Sequence, residues 1–393
     1  MANTLNLGTD GNWATKEDSL LAYNSENGNF KPLPFDFTRA SSATVVNKAG
    51  LIETVGSGEP RIDFLGNTKG ALLLEPTRSN LITNSEDFSN SSWLKVGGAI
   101  TSNIGVSPDG GLNADRFYIA NAVANTRLYI SYTFSSSTYT LSVYAKNNGS
   151  TDSFRFSYYD GVSQEFSNDF SLTNEWQRFT HTFTAAAGAG AGVVWIATTS
   201  SIGVGSELDI QIYGAQLEQG SYATSIIPTQ GSAVTRVADA SSQTVPSGII
   251  GQTEGTMFLD SKMALQSVNN YQLFSINNGG GSDRIRILTA IGNRLRFIYQ
   301  LDGGALAYSF YNPTDYSDLT NLKIAFTYKS GDIKVYINGV LVDSSTNTFT
   351  IAQTLTNIDI ATSSGGYNQM LFNDIKLYNT ALTDQELINL TTL

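Results

Sequence analysis

The amino-acid sequence predicts an all-β protein with an N-terminal leader, two β-sandwich (jelly-roll) domains and one short C-terminal helix. Stretches that alternate apolar and polar residues recur about every ten residues, as they do in sandwiches and barrels. Clusters of Gly, Asn, Asp and Ser separate these stretches, and patterns with the period of a helix are almost absent. At 393 residues the chain exceeds one typical core, so more than one domain is expected.

Residues 1–78 are predicted to be a leader with an anchoring or assembly role. This part of the chain contains short strand patterns and loop-like stretches broken by Gly28, Pro32 and Pro34. Its strands are too few to bury a core alone, so we expect it to pack on the next domain or on a sister chain. The two sandwiches have their own periodicity and are expected to fold without the leader.

Residues 79–228 are predicted to form the first sandwich. The alternation is clearest at residues 139–145 and continues to residues 208–213. Trp176 and Trp195 lie inside strand patterns of this region, and we expect both to be core residues.

Residues 229–250 are rich in Ser, Thr, Gly and Val and are predicted to be a linker to a second sandwich at residues 251–393. Asn338 and Gly339 stand between two alternating segments, and this dipeptide is a strong hairpin signal because both residues accept positive φ. Residues 383–386, Thr-Asp-Gln-Glu, form a capping box that predicts a short terminal helix.

The composition excludes several classes of function. A net charge of −11 argues against nucleic acid and anionic lipid as partners. No apolar run approaches eighteen residues, and the first residues do not resemble a secretory signal, so we expect no membrane span and release by lysis. The absence of Cys excludes disulfides and thiolate chemistry.

No catalytic residue is predicted. The single histidine, His181, lies in an alternating strand pattern and is interpreted as structural. Glu207 and Asp209 are alternate carboxylates on a strand, which is how glucanases of the laminarinase type place their acids on a sandwich. Gln211 stands where the further carboxyl of those enzymes is expected, and the amide removes the proton donor.

Sugar binding is predicted for aromatic side chains that neighbour polar ones, because a pyranose presents an apolar C–H face and a ring of hydroxyls. The alternative is that these aromatics fill cores or the seams of a trimer. The candidates lie in two segments of the second sandwich: Tyr308, Tyr311, Asp315, Tyr316, Asp318, Tyr367 and Asn368.

No cofactor is expected, except that the resemblance of the second sandwich to the laminin-G type, described below, implies calcium as a candidate ligand. Loop carboxylates and carbonyls are its ordinary ligands. Asp283, Asp302, Asp315 and Asp318 are candidates by residue type only, since no spacing resembles a dedicated calcium loop.

The N-terminal part of the chain resembles a stretch common in bacteriophage virion proteins, including tail-fibre, head-fibre and host-recognition proteins. The shared pattern reads approximately FTRASSAT, GLIE, PRIDF, LLLEP and R-x-NL, followed by a tryptophan. The matching positions are residues 37–44, 50–53, 60–64, 72–76, Arg78, Asn80 and Trp93. The resemblance implies a structural protein of the virion that is assembled in the host cytoplasm, with head and tail locations both open.

Two further resemblances concern the sandwiches. Residues 175–179 and 213–218 resemble carbohydrate-binding jelly-roll modules, and residues 335–339 and 375–383 resemble the concanavalin A-like, laminin-G type of sandwich. These resemblances imply adhesion to host-surface or mucosal polysaccharide. We expect a homotrimer, because the leader cannot bury its own core and closed symmetry is the usual solution for fibres. The resemblance to virion proteins implies other virion proteins as partners. Two alternatives remain, a pure assembly scaffold and a glycan-cleaving tailspike. The sequence does not decide which sandwich carries the binding site.

Overall fold

Strands make up nearly all of the regular structure in the computed structural model of the chain, which confirms the all-β prediction. The structure describes residues 4–22, 33–122, 125–149, 153–198, 207–263, 271–280, 283–316, 320–361 and 369–393. Within these ranges no helix is long and apolar enough to cross a membrane.

The described strands and helices are numbered in chain order. The first eight strands are β1 (Leu5–Leu7), β2 (Thr15–Lys16), β3 (Ser19–Ala22), β4 (Leu33–Thr38), β5 (Ala43–Val46), β6 (Ile52–Val55), β7 (Ile62–Asp63) and β8 (Ala71–Leu74). The middle strands are β9 (Arg78–Asn80), β10 (Leu94–Val96), β11 (Ala99–Gly105), β12 (Ala114–Ile119), β13 (Arg127–Thr133), β14 (Thr138–Asn147), β15 (Ser153–Tyr159), β16 (Gln164–Phe166), β17 (Phe170–Ser171), β18 (Gln177–Thr184), β19 (Ala191–Thr198), β20 (Leu208–Gln219) and β21 (Val234–Arg236). The remaining elements are β22 (Ala240–Thr244), β23 (Glu254–Met263), β24 (Gln272–Asn277), β25 (Arg284–Ala290), β26 (Arg294–Gln300), β27 (Leu306–Tyr311), β28 (Asn321–Lys329), β29 (Ile333–Ile337), β30 (Val340–Ser345), β31 (Asn357–Ile360), β32 (Met370–Tyr378) and the helix α1 (Asp384–Thr391). Two short 3-10 turns cover Thr9–Gly11 and Asp302–Gly304.

The chain divides into two compact units. The first unit contains residues 1–48, 55–77 and 237–393, and the second contains residues 49–54 and 78–236. The predicted boundaries at 1–78, 79–228, 229–250 and 251–393 differ from this division in two ways. The leader shares a unit with the C-terminal sandwich, and the predicted linker is divided between the units, with β21 in the second and β22 in the first.

The second unit has two antiparallel sheets around one core. One sheet has the order β10-β13-β19-β15-β16, with β17 also paired to β15, and the other has the order β11-β12-β20-β14-β18. Apolar residues that alternate along these strands face each other in the core, as in other sandwiches. The strand patterns predicted between residues 139 and 213 are therefore confirmed.

The first unit is built from an eight-stranded and a nine-stranded sheet. The smaller sheet runs β30-β29-β28-β23-β32-β8-β7, with β1 paired to β32, and the larger runs β2-β3-β4-β22-β31-β24-β25-β26-β27. The leader thus supplies strands to both sheets, and its apolar side chains join the core of the unit. Strands β1 and β8 of the leader both pair with β32, so the leader completes a sheet of the C-terminal sandwich. That this sandwich folds without the leader stays a prediction.

Two local predictions in the first unit are confirmed. Asn338 and Gly339 have φ values of 50° and 81° and connect β29 to β30 in a tight hairpin. Helix α1 starts after Thr383, whose backbone N–H donates to the Glu386 carboxylate at 2.8 Å.

A buried network of four charged side chains joins the leader to the strand region that follows residue 236. Arg61 donates to Glu75 at 2.6 Å and also to Asp239, while Arg39 donates to the other oxygen of Asp239 at 2.9 Å. All four side chains are 0% exposed. Burial alone would lower the pKa of Arg61, but Asp239 and Glu75 raise it above its ordinary value, so the guanidinium is charged.

Further hydrogen bonds complete the network. Arg39 donates to the carbonyl oxygens of Ser41 and Glu59 at 2.9 and 3.0 Å, and Gln369 donates to Glu75 at 3.1 Å. The backbone N–H of Glu75 donates to Asp239 at 2.8 Å. With two positive and two negative groups, the network carries no net charge, which is the condition under which buried ions are tolerated.

We predict that Arg61→Met destabilises the protein by about 3–5 kcal/mol, since it leaves two buried carboxylates without their shared counter-ion. Urea denaturation followed by tryptophan fluorescence measures the free energy of unfolding. The control is Lys329→Met, which removes an exposed ion pair with Glu254 and should change little. Equal effects of the two substitutions would contradict the role given to the network.

Candidate functional site

Four arginines lie on one face of the nine-stranded sheet, and three of them, Arg284, Arg286 and Arg296, form the candidate site. Arg284 and Arg286 alternate along β25 with core residues, and Arg296 lies between two core residues of β26. Successive side chains of a strand point to opposite faces, so the arginines lie on the face away from the core.

Arg286 is half-buried. One of its terminal amines donates to Gln300 Oε1 at 2.7 Å, while its buried Nε has no acceptor within the part of the chain that the structure describes. Burial lowers the pKa of Arg286, and repulsion from Arg284 and Arg296 lowers it further. The ionised group is thus held where its surroundings do not offset its charge.

Tyr311 and Ser309 of β27 adjoin Arg296. The guanidinium carbon of Arg296 lies 4.4 Å from the centre of the Tyr311 ring, and its Nη2 is 3.2 Å from Ser309 Oγ. Such cation–π packing orients the ring while Tyr311 remains 50% exposed. We call this surface the arginine face; its residues are Arg284, Arg286, Arg296, Gln300, Ser309 and Tyr311.

Polar side chains continue the arginine face onto the neighbouring strands. Asn277 of β24 donates to Asp359 of β31 at 2.6 Å. Burial raises the pKa of Asp359, although Asn277 and Arg284 act in the opposite direction. An exposed aromatic ring beside amide, hydroxyl and guanidinium groups is suited to binding a polyhydroxylated ligand.

The predicted sugar-binding segment around residue 308 is only partly at the surface. Tyr308 is 5% exposed, belongs to the core and donates to Asp343, so its place in the candidate site is corrected to a structural one. Tyr316 is half-buried, packs against the core and accepts a hydrogen bond from Asn312 at 3.0 Å. Asp315 is exposed, and Tyr311 alone of the described candidates joins the arginine face.

The other predicted ligand residues belong to the proposed glycan site and to the proposed calcium site. Asp318, Tyr367 and Asn368 lie outside the described residues. Asp283 is buried and accepts the backbone N–H of Gln353 at 2.8 Å, whereas Asp302 and Asp315 are exposed. Across the described ranges, no group of three or more His, Cys, Asp or Glu side chains is placed to hold a metal ion.

The carboxylates considered for hydrolysis have other roles. Asp209 lies on β20 and accepts two hydrogen bonds from Arg116, both at 2.7 Å, and one from Asn148 at 2.9 Å. The bond from Arg116 is the main reason that the pKa of Asp209 is lowered, so this group is an ionised ion-pair partner rather than a proton donor. Glu207 is exposed.

His181 lies on β18 beside Tyr158 and Phe183. Burial lowers its pKa. The neutral ring packs among aromatic neighbours, which supports the structural interpretation of this histidine.

The prediction that Trp176 is a core residue is wrong. Its indole N–H donates to the Val106 carbonyl oxygen at 2.9 Å, and Lys146 Nζ lies 5.0 Å from the ring centre. The side chain is half-buried and lies just before β18, outside the core cluster. Trp195 is buried, but it contacts Phe166 and Arg127 instead of the core cluster.

Sequence reasoning missed the arginines of the arginine face. Their signal was present, because Arg284-Ile285-Arg286-Ile287 and Arg294-Leu295-Arg296-Phe297 both alternate charged and apolar residues. Alternation of this kind indicates a strand with a charged outer face, and two such strands in sequence predict a charged patch.

The matching family model covers the C-terminal part of the first unit. Residues 240–388 match the family described as the concanavalin A-like lectin/glucanases superfamily. This match agrees with the observed all-β, two-domain architecture and its concanavalin A-like domain. Comparison with curated proteins finds no match.

Several solved structures are similar to part of the chain. The Ruminococcus gnavus IT-sialidase CBM40 bound to α2,3 sialyllactose is 18% identical, with a TM-score of 0.32 over 36% of this chain and 84% of that one. Domain 4 of AbnA, a GH43 extracellular arabinanase from Geobacillus stearothermophilus, in complex with arabinotriose, is 18% identical, with a TM-score of 0.33 over 39% and 73%. The botulinum neurotoxin serotype D binding domain is 14% identical, with a TM-score of 0.32, and the chain spans 39% of its length.

Substitution of two tyrosines of β27 should separate a core position from a surface position. Tyr308→Ala is expected to lower the free energy of unfolding by about 3–5 kcal/mol, because it leaves a cavity in the core. Tyr311→Ala is expected to cost less than about 1 kcal/mol, since half of its ring is already in water. Urea denaturation of the two variants measures the difference, and the reverse order would contradict the assignment of the two faces.

Proposed function

We propose that the protein is a non-catalytic glycan-binding protein and that the arginine face is its binding surface. The observation that carries this proposal is the Tyr311 ring, half exposed and held by Arg296 beside the Ser309 hydroxyl. A sugar ring packs its C–H face on such a tyrosine while neighbouring donors and acceptors meet its hydroxyls. The match of residues 240–388 to a family that contains lectins supports the same function.

Affinity for one glycan should be weak. Exchanging water for hydroxyl contacts on an open surface gains little free energy, so a dissociation constant on the order of 10⁻³–10⁻⁴ M is expected. If several copies of the site reach one cell surface together, avidity raises the apparent affinity about a hundredfold or more. Adhesion therefore depends on how many copies the protein presents.

We predict that Tyr311→Ala reduces glycan binding by about tenfold without unfolding the protein, because it removes the aromatic platform. The full chain and its variants are compared on a glycan array and then by titration calorimetry with the glycans that bind. The matched control is Tyr159→Ala, which removes a tyrosine that is 40% exposed in the other unit.

A second variant tests the competing surface in the second unit. Trp176→Ala removes the half-buried ring that lies beside Lys146. If binding is lost with Trp176→Ala and kept with Tyr311→Ala, the binding surface belongs to the second unit. Binding of the unmodified protein to no glycan at all would contradict the proposed function and favour the assembly scaffold.

We also propose that the protein is a structural component of a bacteriophage virion, on the head or the tail, and that it assembles as a homotrimer with other virion proteins. The support for this proposal is the ordered pattern between residues 37 and 93, which is common in virion proteins. Trimeric symmetry is a usual solution for fibres and supplies the avidity that a weak site needs.

The assembly state is predicted to be a trimer of the 42.3 kDa chain. Multi-angle light scattering at micromolar concentration measures the mass directly, and a monomer would contradict the trimer. Immunogold labelling of purified particles tests the virion location separately. Unlabelled particles from cells that express the protein would count against that location.

A further inference from the structure

We propose that the arginine face selects acidic saccharides and that Arg286 binds their carboxylate, sulfate or phosphate group. This inference rests on the proposed function and names the ligand class of the same surface. Its basis is the position of Arg286, the groups around it and its difference from the ion-paired Arg39, Arg61 and Arg116.

Three other arginines of the described structure meet a carboxylate. Arg61 pairs with Glu75 and Asp239, and Arg39 pairs with Asp239. Even Arg116, which is 33% exposed, has both oxygens of Asp209 within hydrogen-bonding distance. A half-buried guanidinium ordinarily needs such a partner, because its charge has lost part of its hydration.

Arg286 differs from them. Its hydrogen-bond acceptor within the described residues is the neutral amide oxygen of Gln300, at 2.7 Å. The charged groups that act on it are Arg284 and Arg296, and both repel it. The chain carries a net charge of −11, so four arginines on two adjacent strands do not follow from a basic composition.

The nearest strand with a carboxylate does not supply the missing counter-ion. Asp359 lies on β31, two strands away from β25, and it accepts a hydrogen bond from Asn277. Arg284 is the arginine that acts on Asp359, which leaves the charge of Arg286 unpaired by a described carboxylate. A bound anion would neutralise the charge of Arg286 and would also reduce the electrostatic repulsion among the arginines.

The geometry favours a sugar that carries the anion. A guanidinium is planar and binds carboxylate or sulfate oxygens through paired N–H groups. Gln300 fixes one amine of Arg286, so part of the cost of ordering the side chain is met before binding. Tyr311 lies on β27, two strands from Arg286, at a distance of about 10 Å, so a short oligosaccharide reaches both groups.

The test compares full-length protein with Arg286→Gln and Arg286→Lys on a glycan array that holds neutral, uronic-acid, sialylated, sulfated and phosphorylated glycans. The matched control is Arg155→Gln, which removes a half-buried arginine that packs on Phe166 in the other unit. Circular dichroism and thermal unfolding establish that each variant is folded. Trigalacturonic acid and its methyl ester then serve as a pair in which only the charge differs.

We expect acidic glycans to bind in preference to neutral ones, with an affinity that falls as salt is added. Arg286→Gln should weaken acidic binding about tenfold to a hundredfold, Arg286→Lys should recover only part of it, and Arg155→Gln should leave it unchanged. The preferred class on the array identifies the anion as carboxylate, sulfate or phosphate.

Two outcomes separate this inference from the proposed function. Binding of neutral glycans that is lost in Tyr311→Ala but kept in Arg286→Gln would overturn the acidic preference and leave glycan binding in place. Binding to no glycan of either kind would overturn both.

Discussion

The fold of the first unit depends on the buried network of Arg39, Arg61, Glu75 and Asp239. Four ionised side chains without solvent contact would be costly if any one of them lacked its partners, because each charge has given up its hydration. In the structure every member meets an opposite charge, and backbone carbonyls accept further hydrogen bonds from Arg39. Loss of any one member would therefore leave a buried charge without its partner. The network requires the leader and the segment after residue 236 to be in place together.

The described leader strands β1 to β4, β7 and β8 are integral parts of the two sheets of the first unit. Arg39, Arg61 and Glu75 all fall within the pattern that resembles virion proteins, and each is used inside the unit. Strands of the same segment pair with β32 and β22, which belong to the C-terminal part of the chain. Residues of the pattern thus help to close the sandwich of the first unit.

Local features of the structure could be predicted from the sequence where neighbouring residues determine them. The hairpin at Asn338 and Gly339 and the capping box at Thr383 depend on a few adjacent residues, and both are present. The network could not be predicted, because Asp239 is 200 residues from Arg39 and 178 from Arg61. Nothing in the local sequence at residue 239 distinguishes a buried ion pair from a surface carboxylate.

The candidate site likewise combines features that the local sequence predicts with features that depend on the tertiary structure. Tyr308 and Tyr311 are close in sequence, but the alternation of a strand sends the first into the core and the second to the surface. A grouping of aromatic residues by their closeness in sequence therefore combined a core residue with a surface residue. The two-residue period of a strand, applied to β25 and β26, would have predicted that their arginines share the outer face. The strand order that places Arg286, Arg296 and Tyr311 side by side is a tertiary feature.

Native-state hydrogen exchange of the full chain tests most directly whether the leader is an integral part of the first unit. The account predicts that the backbone amides of β8 and β32 exchange slowly and with the same free energy of opening, because both belong to one cooperative sheet. Fast exchange of the β8 amides with continued protection of β32 would contradict it, since the leader would then open without the sandwich.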